Sequence, residues 1–190
     1  MGSALGSQSA FSETTIEVVH PPLRDWSPFC TVIDGAKVPG PRALSRPEGL
    51  GDRMRIAAFA ELQAREAFRW GAGRFTEVPP PLRQAWLTLA DEEDKHLGWL
   101  LVRMKELGIE PHDRMVSAHL WRGLTACSTP HEFTWYMAKA EERGRIAGER
   151  FAQALSDRDP TSARLFAQIA KEEADHIALA MRFYPTSDRQ

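Results

Sequence analysis

Two copies of one acidic motif ending in histidine are the most chemically distinctive feature of this chain. Residues 90–96 read ADEEDKH and residues 170–176 read AKEEADH, so both fit A-x-E-E-x-x-H at a separation of 80 residues. A further glutamate, Glu61 or Glu141, lies 32 positions before each Glu-x-x-His. Helical residues three apart share one face, about 4.5 Å apart along the axis. The glutamate and histidine of each copy can therefore reach one metal ion or two adjacent ones.

Together the two copies supply an oxygen and nitrogen ligand set for two metal ions. The candidate ligands are Glu61, Glu93, His96, Glu141, Glu173 and His176. In four-helix bundles with a dinuclear centre, two helices each contribute a glutamate and the other two each contribute a Glu-x-x-His. Carboxylates and imidazoles suit iron or manganese and, less distinctively, zinc. Burying even one unpaired ion costs several kcal/mol, so four buried glutamates are expected to need two divalent cations.

Helical faces separate Glu141 from the acid that follows it. Glu141 shares its face with apolar residues such as Met137 and Phe151, whereas Glu142 lies on a more polar face with Arg145. We therefore expect Glu141, and not Glu142, to face the centre of the bundle.

The same comparison makes Glu93 and Glu173 the inward members of their pairs. Metal-bound histidines usually donate their other ring N–H to a carboxylate or a carbonyl. Five residues near the motifs are candidates for these outer contacts, and the sequence does not rank them: Asp91, Glu92, Lys171, Glu172 and Asp175.

The N-terminal quarter of the chain differs in composition from the rest. Residues 1–47 contain six prolines and scattered glycines, which break helices and favour irregular structure. We interpret 1–47 as an irregular segment laid over a helical domain of residues 48–185, with a short tail at 186–190. Residues 14–19 fit either a short strand or a disordered lead-in.

Periodicity and capping residues predict four long helices. The first covers about 48–74, and the prolines at 79–81 start the second, which ends near Leu107 with Gly108 as its C-cap.

The second half of the chain repeats this plan after a long connection. Residues 109–128 form the connection, with a short helix predicted over Met115–Leu124. A capping box with proline, 129–132, starts the third long helix, and Asp159-Pro160 starts the fourth, which stops at Tyr184-Pro185. The result is two antiparallel hairpins, and the 80-residue offset suggests an internal duplication.

Composition excludes several classes of protein. The net charge of −2 and the pI of about 6.3 do not favour a nucleic-acid partner, although arginines cluster between Arg53 and Arg83. Cys30 and Cys127 have no zinc-ribbon spacing, and no stretch approaches the roughly 20 apolar residues of a membrane span. The N-terminus lacks the features of a secretion signal. We therefore expect a soluble cytoplasmic protein with no membrane partner.

Six short stretches carry a resemblance to a known family. They are residues 61–64, 92–96, 119–121, 141–144, 173–176 and 182–183, which read ELQA, EEDKH, HLW, EERG, EADH and RF. From Ala60 to about Tyr184 the sequence resembles the ferritin-like proteins of domain-of-unknown-function family 455. More distantly, it is similar to the tRNA isopentenyladenosine hydroxylases. The resemblance implies an all-α, ferritin-like four-helix bundle and places the metal ligands on the same six residues.

Two positions depart from the family pattern. The family often has a histidine two positions before the first glutamate, where this chain has Phe59. The family's usual Glu-Ala-Arg-Gly reads Glu-Glu-Arg-Gly at residues 141–144 of this chain, with Glu142 in place of the alanine. These departures concern the substrate and the surroundings of the metals more than metal binding itself. The family label carries no established reaction.

The leading functional hypothesis is O2-dependent oxidation at a dinuclear non-haem centre. Two iron ions are expected, with manganese or a mixed iron–manganese pair as alternatives. The four glutamates would hold and bridge the metals as catalytic groups, and the two histidines would cap them. O2 is the expected co-substrate of an oxygenase or hydroxylase, while the small organic substrate and the electron donor are not identified by the sequence.

Two other functions remain open at this stage. A ferroxidase or iron-handling protein would use Fe(II) itself as the substrate, and a non-catalytic bundle would be stabilised by its metals or would have lost them. Bundles often form homodimers through helix faces, but no apolar stripe in this sequence demands one.

Overall fold

The computed structural model describes residues 24–32 and 36–185, and it is built from α-helices. The helices are α1 (Gly49–Arg74), α2 (Pro80–Glu106), α3 (His119–Thr125), α4 (Pro130–Leu155) and α5 (Pro160–Phe183), with a 3-10 turn at Pro111–Asp113. The prediction of an all-α fold is confirmed.

Short and long connections between the helices define the topology. Residues 75–79 join α1 to α2, and residues 156–159 join α4 to α5, so each pair forms an antiparallel hairpin. The longer connection of residues 107–129 carries α3 and crosses from the first hairpin to the second. Two hairpins joined by one long crossover are consistent with the predicted ferritin-like bundle.

Capping interactions begin and end the helices where the sequence predicts. At the start of α4, the Thr129 hydroxyl accepts from the Glu132 N–H, and the Glu132 carboxylate accepts from the Thr129 N–H. The Asp159 carboxylate accepts from the Ser162 N–H at the start of α5. After α2, Gly108 has a φ of 65°, the left-handed conformation that glycine adopts without strain.

The crossover helix is shorter than predicted. The sequence predicted a helix over Met115–Leu124, whereas α3 covers only His119–Thr125. Val116 instead pairs with the N-terminal segment, because its N–H donates to Cys30 O at 2.9 Å and its carbonyl accepts from Val32 N at 3.0 Å. This extended pairing excludes helical geometry at Val116.

Two hydrophobic clusters lie at different levels of the bundle. One contains Phe59, Leu62, Leu97, Leu100, Met104, Phe166 and Ile169 among its buried members. The other contains Phe68, Phe75, Leu82, Trp86, Trp121, Phe133 and Met137. The six candidate metal ligands lie between the two clusters, so polar side chains interrupt an otherwise apolar interior.

The described part of the N-terminal segment packs on α1 and α3. The Trp26 ring meets Phe59 at 5.4 Å and Trp121 at 5.7 Å between centroids, and Arg24 forms an ion pair with Glu66 at 2.8 Å. Residues 14–19 and the tail lie outside the described residues, and the domain boundary near residue 47 remains a prediction.

Membrane insertion through a helix finds no support in the described residues. None of the helices there combines the length and the apolar character that a membrane span requires.

Candidate metal centre

Helix register brings the six candidate ligands to one level of the bundle. Glu93 and Glu173 each lie 13 residues after the proline that opens α2 or α5, so the two helices present Glu-x-x-His at the same distance from their starts. Glu61 and Glu141 lie near the middle of α1 and α4. All six side chains are buried, and the most exposed of them, Glu61, belongs to a residue that is 9% exposed.

The ligand atoms form two overlapping groups. One group is Glu61, Glu93, His96 and Glu173, and the other is Glu93, Glu141, Glu173 and His176. Within each group the ligand atoms all lie within 4.8 Å of one another. Glu93 and Glu173 belong to both groups, which makes them the candidates for bridging carboxylates. The remaining glutamate and histidine of each group could complete the coordination of one ion.

Each candidate histidine is held by a glutamate of the opposite helix. His96 Nε2 on α2 lies 2.8 Å from Glu172 Oε2 on α5, and His176 Nε2 on α5 lies 2.6 Å from Glu92 Oε2 on α2. A carboxylate accepts, so each Nε2–H donates and Nδ1 is the nitrogen that faces the other ligands. The crossed pattern identifies which of the outer acids contact the histidines.

Unpartnered polar atoms converge on the space between the helices. Among the described residues, the buried side-chain atoms without a hydrogen-bond partner include both carboxylate oxygens of Glu93, one oxygen each of Glu141 and Glu173, and Nδ1 of His96 and His176. His176 Nδ1 lies 2.9 Å from a Glu93 oxygen, yet without hydrogen-bond geometry. Unsatisfied buried atoms are costly, so their concentration here fits a site whose ligands are made for cations.

The pKa values of the four glutamates divide into two classes. Burial, followed by the charge of Glu93, raises the pKa of Glu61 well above its ordinary value, and burial with the charge of Glu173 does the same for Glu141. Burial would also raise the pKa of Glu93 and Glu173, but their contacts with the two histidines lower it below the ordinary value. The two candidate bridging carboxylates are therefore the ionised pair.

The two histidines respond to the same carboxylates. Burial alone would lower the pKa of His176, but Glu173 and Glu93 outweigh it and raise the pKa to about 11. The pKa of His96 is raised to about 9, against burial, by Glu173, Glu93 and Glu172. Protons thus balance the charge of the cluster when no cation is bound, and cations would displace them.

Glu172 is itself kept ionised by its surroundings. Burial would raise its pKa, but Lys95, His96 and Gln168 lower it to about 2. Lys95 Nζ lies 2.7 Å from Glu172 Oε2 and 5.1 Å from the centre of the Trp99 ring, which in turn packs on His96. A charged acceptor next to His96 fixes the orientation of the imidazole.

A cavity of about 220 Å³ lies between α1 and α4 and ends at the candidate ligands. Its inner wall includes the carboxylates of Glu61, Glu141 and Glu173. The rest of its lining is apolar except for Arg53, among the described residues that surround it. The Arg53 guanidinium donates to the carbonyls of Arg42 and Gly49 and lies over the Phe151 ring.

A family model described as "Protein of unknown function (DUF455)" matches residues 6–190. The chain belongs to the DUF455 family. This match confirms the family resemblance expected from the motifs, and it covers nearly the whole chain of the DUF455 protein.

One curated protein similar to this DUF455 chain is named as an enzyme. It is the 3-demethoxyubiquinol 3-hydroxylase of Bordetella petrii (strain ATCC BAA-461 / DSM 12804 / CCUG 43448), which is 28% identical over 136 residues, or 68% of this chain. The aligned region spans 58% of the length of that hydroxylase. No solved structure gives a significant match.

The structure brings together all six ligands predicted for the DUF455 chain. The sequence narrowed the histidine partners only to five candidates, and it did not reveal the cavity at all. Helix positions such as Ala57, Ala60 and Gly144 line the cavity, but small residues on a helix face give no sequence signal that separates a cavity from close packing. Metal binding by the six candidate ligands remains a prediction.

Proposed function

We propose that this DUF455 protein is a dinuclear non-haem metal enzyme that uses O2 to hydroxylate an apolar organic substrate. The observation that carries the proposal is the apolar cavity ending at Glu61, Glu141 and Glu173, which offers an organic molecule a place beside the candidate metal ligands. The similarity to a protein named as a hydroxylase supports the same class of reaction.

The six ligands have distinct roles in this proposal. Glu93 and Glu173 would bridge two metal ions, with Glu61 and His96 completing one coordination sphere and Glu141 and His176 the other. Iron is the proposed metal, with manganese or a mixed pair as alternatives, because carboxylate and imidazole ligands suit both. When bound, such a pair supplies the redox chemistry for O2, with electrons from an external donor.

Other residues of the chain prepare the site for this chemistry. Glu92 and Glu172 hold the imidazole rings so that Nδ1 of each points at the centre. A substrate packed against the apolar walls of the cavity would exclude water from that side of the centre. Exclusion of water protects a reactive site from side reactions.

The lining of the cavity favours an organic substrate over the ferroxidase alternative. A path for Fe(II) would need oxygen or nitrogen ligands along its length. Apart from Arg53, the charged groups that line this cavity are the three glutamates at its inner end. The cavity therefore offers a passing cation few ligand atoms, whereas its apolar walls can bind an apolar molecule.

The proposal is tested first by metal content and then by O2 consumption. We expect about two iron or manganese ions per chain in the purified protein. The double variant Glu93→Ala/Glu173→Ala should lose them, because it removes both bridging candidates. After anaerobic loading with Fe(II), O2 uptake should stop after a single turnover unless an organic substrate and a reductant are added.

Glu142→Ala is the matched control for the double variant. Glu142 is adjacent to Glu141, but its carboxylate binds Arg145 at 2.7 Å on the outer face of α4. The metal content of the Glu142→Ala variant should equal that of the wild type. Continued O2 uptake with excess Fe(II) would favour the ferroxidase, and a metal-free protein that folds normally and ignores Fe(II) would leave only the non-catalytic bundle.

A further inference from the structure

The two halves of the chain share one helical frame. α1 and α4 are both 26 residues long, α2 and α5 both start with proline, and every candidate ligand of the first half has a counterpart 80 residues later. Side chains separated by 80 residues therefore occupy equivalent positions on the two sides of the centre. Comparing such pairs shows where the two sides differ.

On one side, large side chains fill the space between α1 and α4. Phe68, Phe133 and Met137 are each at most 2% exposed. The Phe133 ring packs edge-on against Phe68 at 6.4 Å and against Trp86 at 5.2 Å between centroids. A Cβ added at Gly71 would lie 2.8 Å from the Phe133 ring, so this side has no room even for a methyl group.

On the other side, the equivalent positions surround the cavity. The counterparts of Phe68, Trp86, Phe133 and Met137 are Gly148, Phe166, Arg53 and Ala57, and all four line it. Side-chain volume is lost at Ala57, while Arg53 directs its guanidinium to backbone carbonyls and over the Phe151 ring. At Gly148 the neighbouring helix α5 lies close, because an added Cβ would be 3.2 Å from Ala170 Cβ. The cavity therefore includes the space that Met137 fills on the opposite side, where Ala57 is its counterpart.

The cavity also reaches one of the candidate metal ligands. Glu141 lines the cavity, its residue is 7% exposed, and its Oε1 atom has no hydrogen-bond partner. Gly144 follows Glu141 by one helical turn, and a Cβ added there would meet nothing within 4 Å. The space next to Glu141 is thus open along α4.

We propose that this side of the centre is the substrate pocket for an uncharged ring compound, and that Ala57 and Gly144 set the largest ring that fits. The inference rests on the proposed function and deepens it by naming the substrate class. It also restricts the approach of substrate to one side of a nearly symmetric centre, because the other side is closed by Phe68, Phe133 and Met137.

Size and charge define the compound. An apolar cavity of about 150 Å³ binds benzene, so one of about 220 Å³ accepts a substituted ring or two fused rings. Apart from Arg53, whose guanidinium lies over the Phe151 ring, the charged groups of the lining are the three glutamates at the inner end, and the other lining residues are apolar. Binding therefore depends on apolar contact and shape.

The test measures binding of two neutral probes, benzene and naphthalene, to the metal-loaded, full-length protein by ligand-observed NMR titration. Ala57→Met introduces on the open side the residue that fills the closed side at Met137. Gly144 is exposed at the mouth of the cavity, and Gly144→Leu narrows the cavity there. Ala154→Met is the matched control, since Ala154 is exposed on α4 and does not line the cavity.

We expect wild type and Ala154→Met to bind naphthalene with equal affinity. Ala57→Met and Gly144→Leu should each weaken naphthalene binding roughly tenfold or more, and affect benzene less, because one methylene in an apolar pocket already changes affinity on this scale. Equal naphthalene affinity in all four proteins would overturn the inference.

The same proteins separate this inference from the proposed function. Probe binding that depends on ring size, in a protein that consumes no O2 with any reductant, would overturn the hydroxylase proposal and leave the pocket in place. O2 consumption at a dinuclear centre, with no probe binding to the wild type, would overturn the pocket and leave the metal chemistry in place.

Discussion

Glu172 offers the sharpest single-residue test of the metal centre. It accepts a hydrogen bond from His96 and binds Lys95, so it orients one imidazole without being one of the candidate ligands. Removing such a partner typically lowers metal affinity by about 10- to 100-fold. We expect this loss for Glu172→Ala, measured by titration against a competing chelator.

The control for this prediction is Glu142→Ala. Both residues are acids next to a candidate ligand, but Glu142 is paired with Arg145 and lies away from the histidines. The metal affinity of the Glu142→Ala variant should match that of the wild type. If Glu172→Ala also matched the wild type, the contact with His96 would have no part in metal binding.

The sequence predicted the ligand cluster better than its surroundings. The six candidate ligands could be chosen from spacing and helical face, because both depend on local geometry. The partners of the histidines could not be ranked, because Glu172 is 76 residues from His96 and Glu92 is 84 residues from His176. Which acid reaches which ring depends on how α2 packs against α5.

At the scale of the helix, the start of α4 depends on a side-chain cap. Thr129 and Glu132 exchange hydrogen bonds between side chain and backbone, which satisfies two N–H groups at the helix end. Thr129→Ala should lower the free energy of unfolding by about 1 kcal/mol, measured by chemical denaturation. Glu48→Ala, at the uncapped start of α1, should change it by less than about 0.5 kcal/mol.

Asp52 joins the N-terminal segment to α1 and to the crossover. Its buried carboxylate accepts from Arg42 Nη2 at 2.7 Å, Arg42 Nε at 2.8 Å and Arg114, and Arg114 also donates to Gly40 O at 2.7 Å. The Arg42 hydrogen bond is the main cause that lowers the pKa of Asp52 to about 2. A carboxyl group whose pKa is lower in the folded than in the unfolded protein stabilises the fold fully above the unfolded pKa, and this contribution is lost as the pH falls through the folded pKa.

Asp52→Asn should therefore destabilise the protein in a pH-dependent way. The pKa shift from 3.8 to about 2 corresponds to about 2 kcal/mol of stability at neutral pH. The difference between wild type and variant should be full above pH 5 and should shrink as the pH falls from about 4 to 2, measured by urea denaturation. Asp91→Asn, at a carboxylate that is 83% exposed, should show no such dependence.

The ends of the long helices were predicted closely, because prolines, caps and glycines mark them locally. The start of the crossover helix was not predicted correctly, because Val116 forms backbone hydrogen bonds with residues far away in the sequence. Helical periodicity over Met115–Leu124 could not reveal that competing pairing.

Metal binding should also stabilise the whole molecule. The two hydrophobic clusters do not depend on the centre, and protonation balances its charge, so the chelated protein should keep its helical circular dichroism. A metal present at 100 times its Kd adds about 2.7 kcal/mol of stability. Thermal melting should shift upward on adding Fe(II) anaerobically, and Glu93→Ala/Glu173→Ala should show no shift. Unfolding on chelation at room temperature would contradict this prediction.

At the scale of the molecule, the 80-residue offset predicted two antiparallel hairpins, and the structure shows that their packing around the candidate ligands differs. The pairs Phe68 with Gly148 and Met137 with Ala57 are visible in the sequence only once the 80-residue frame is applied. Met137 fills one side and Ala57 lines the open one because of how α1 packs against α4, and no local sequence pattern indicates that packing.

The crossed pairing of histidines and glutamates has a consequence for the order of events in protein synthesis. Glu61, Glu93 and His96 leave the ribosome first, but the carboxylate that holds His96 belongs to the last helix, as does the second bridging candidate, Glu173. Neither half of the chain carries a complete centre. If the six residues bind two metal ions as proposed, the complete centre can form only after His176 has been translated.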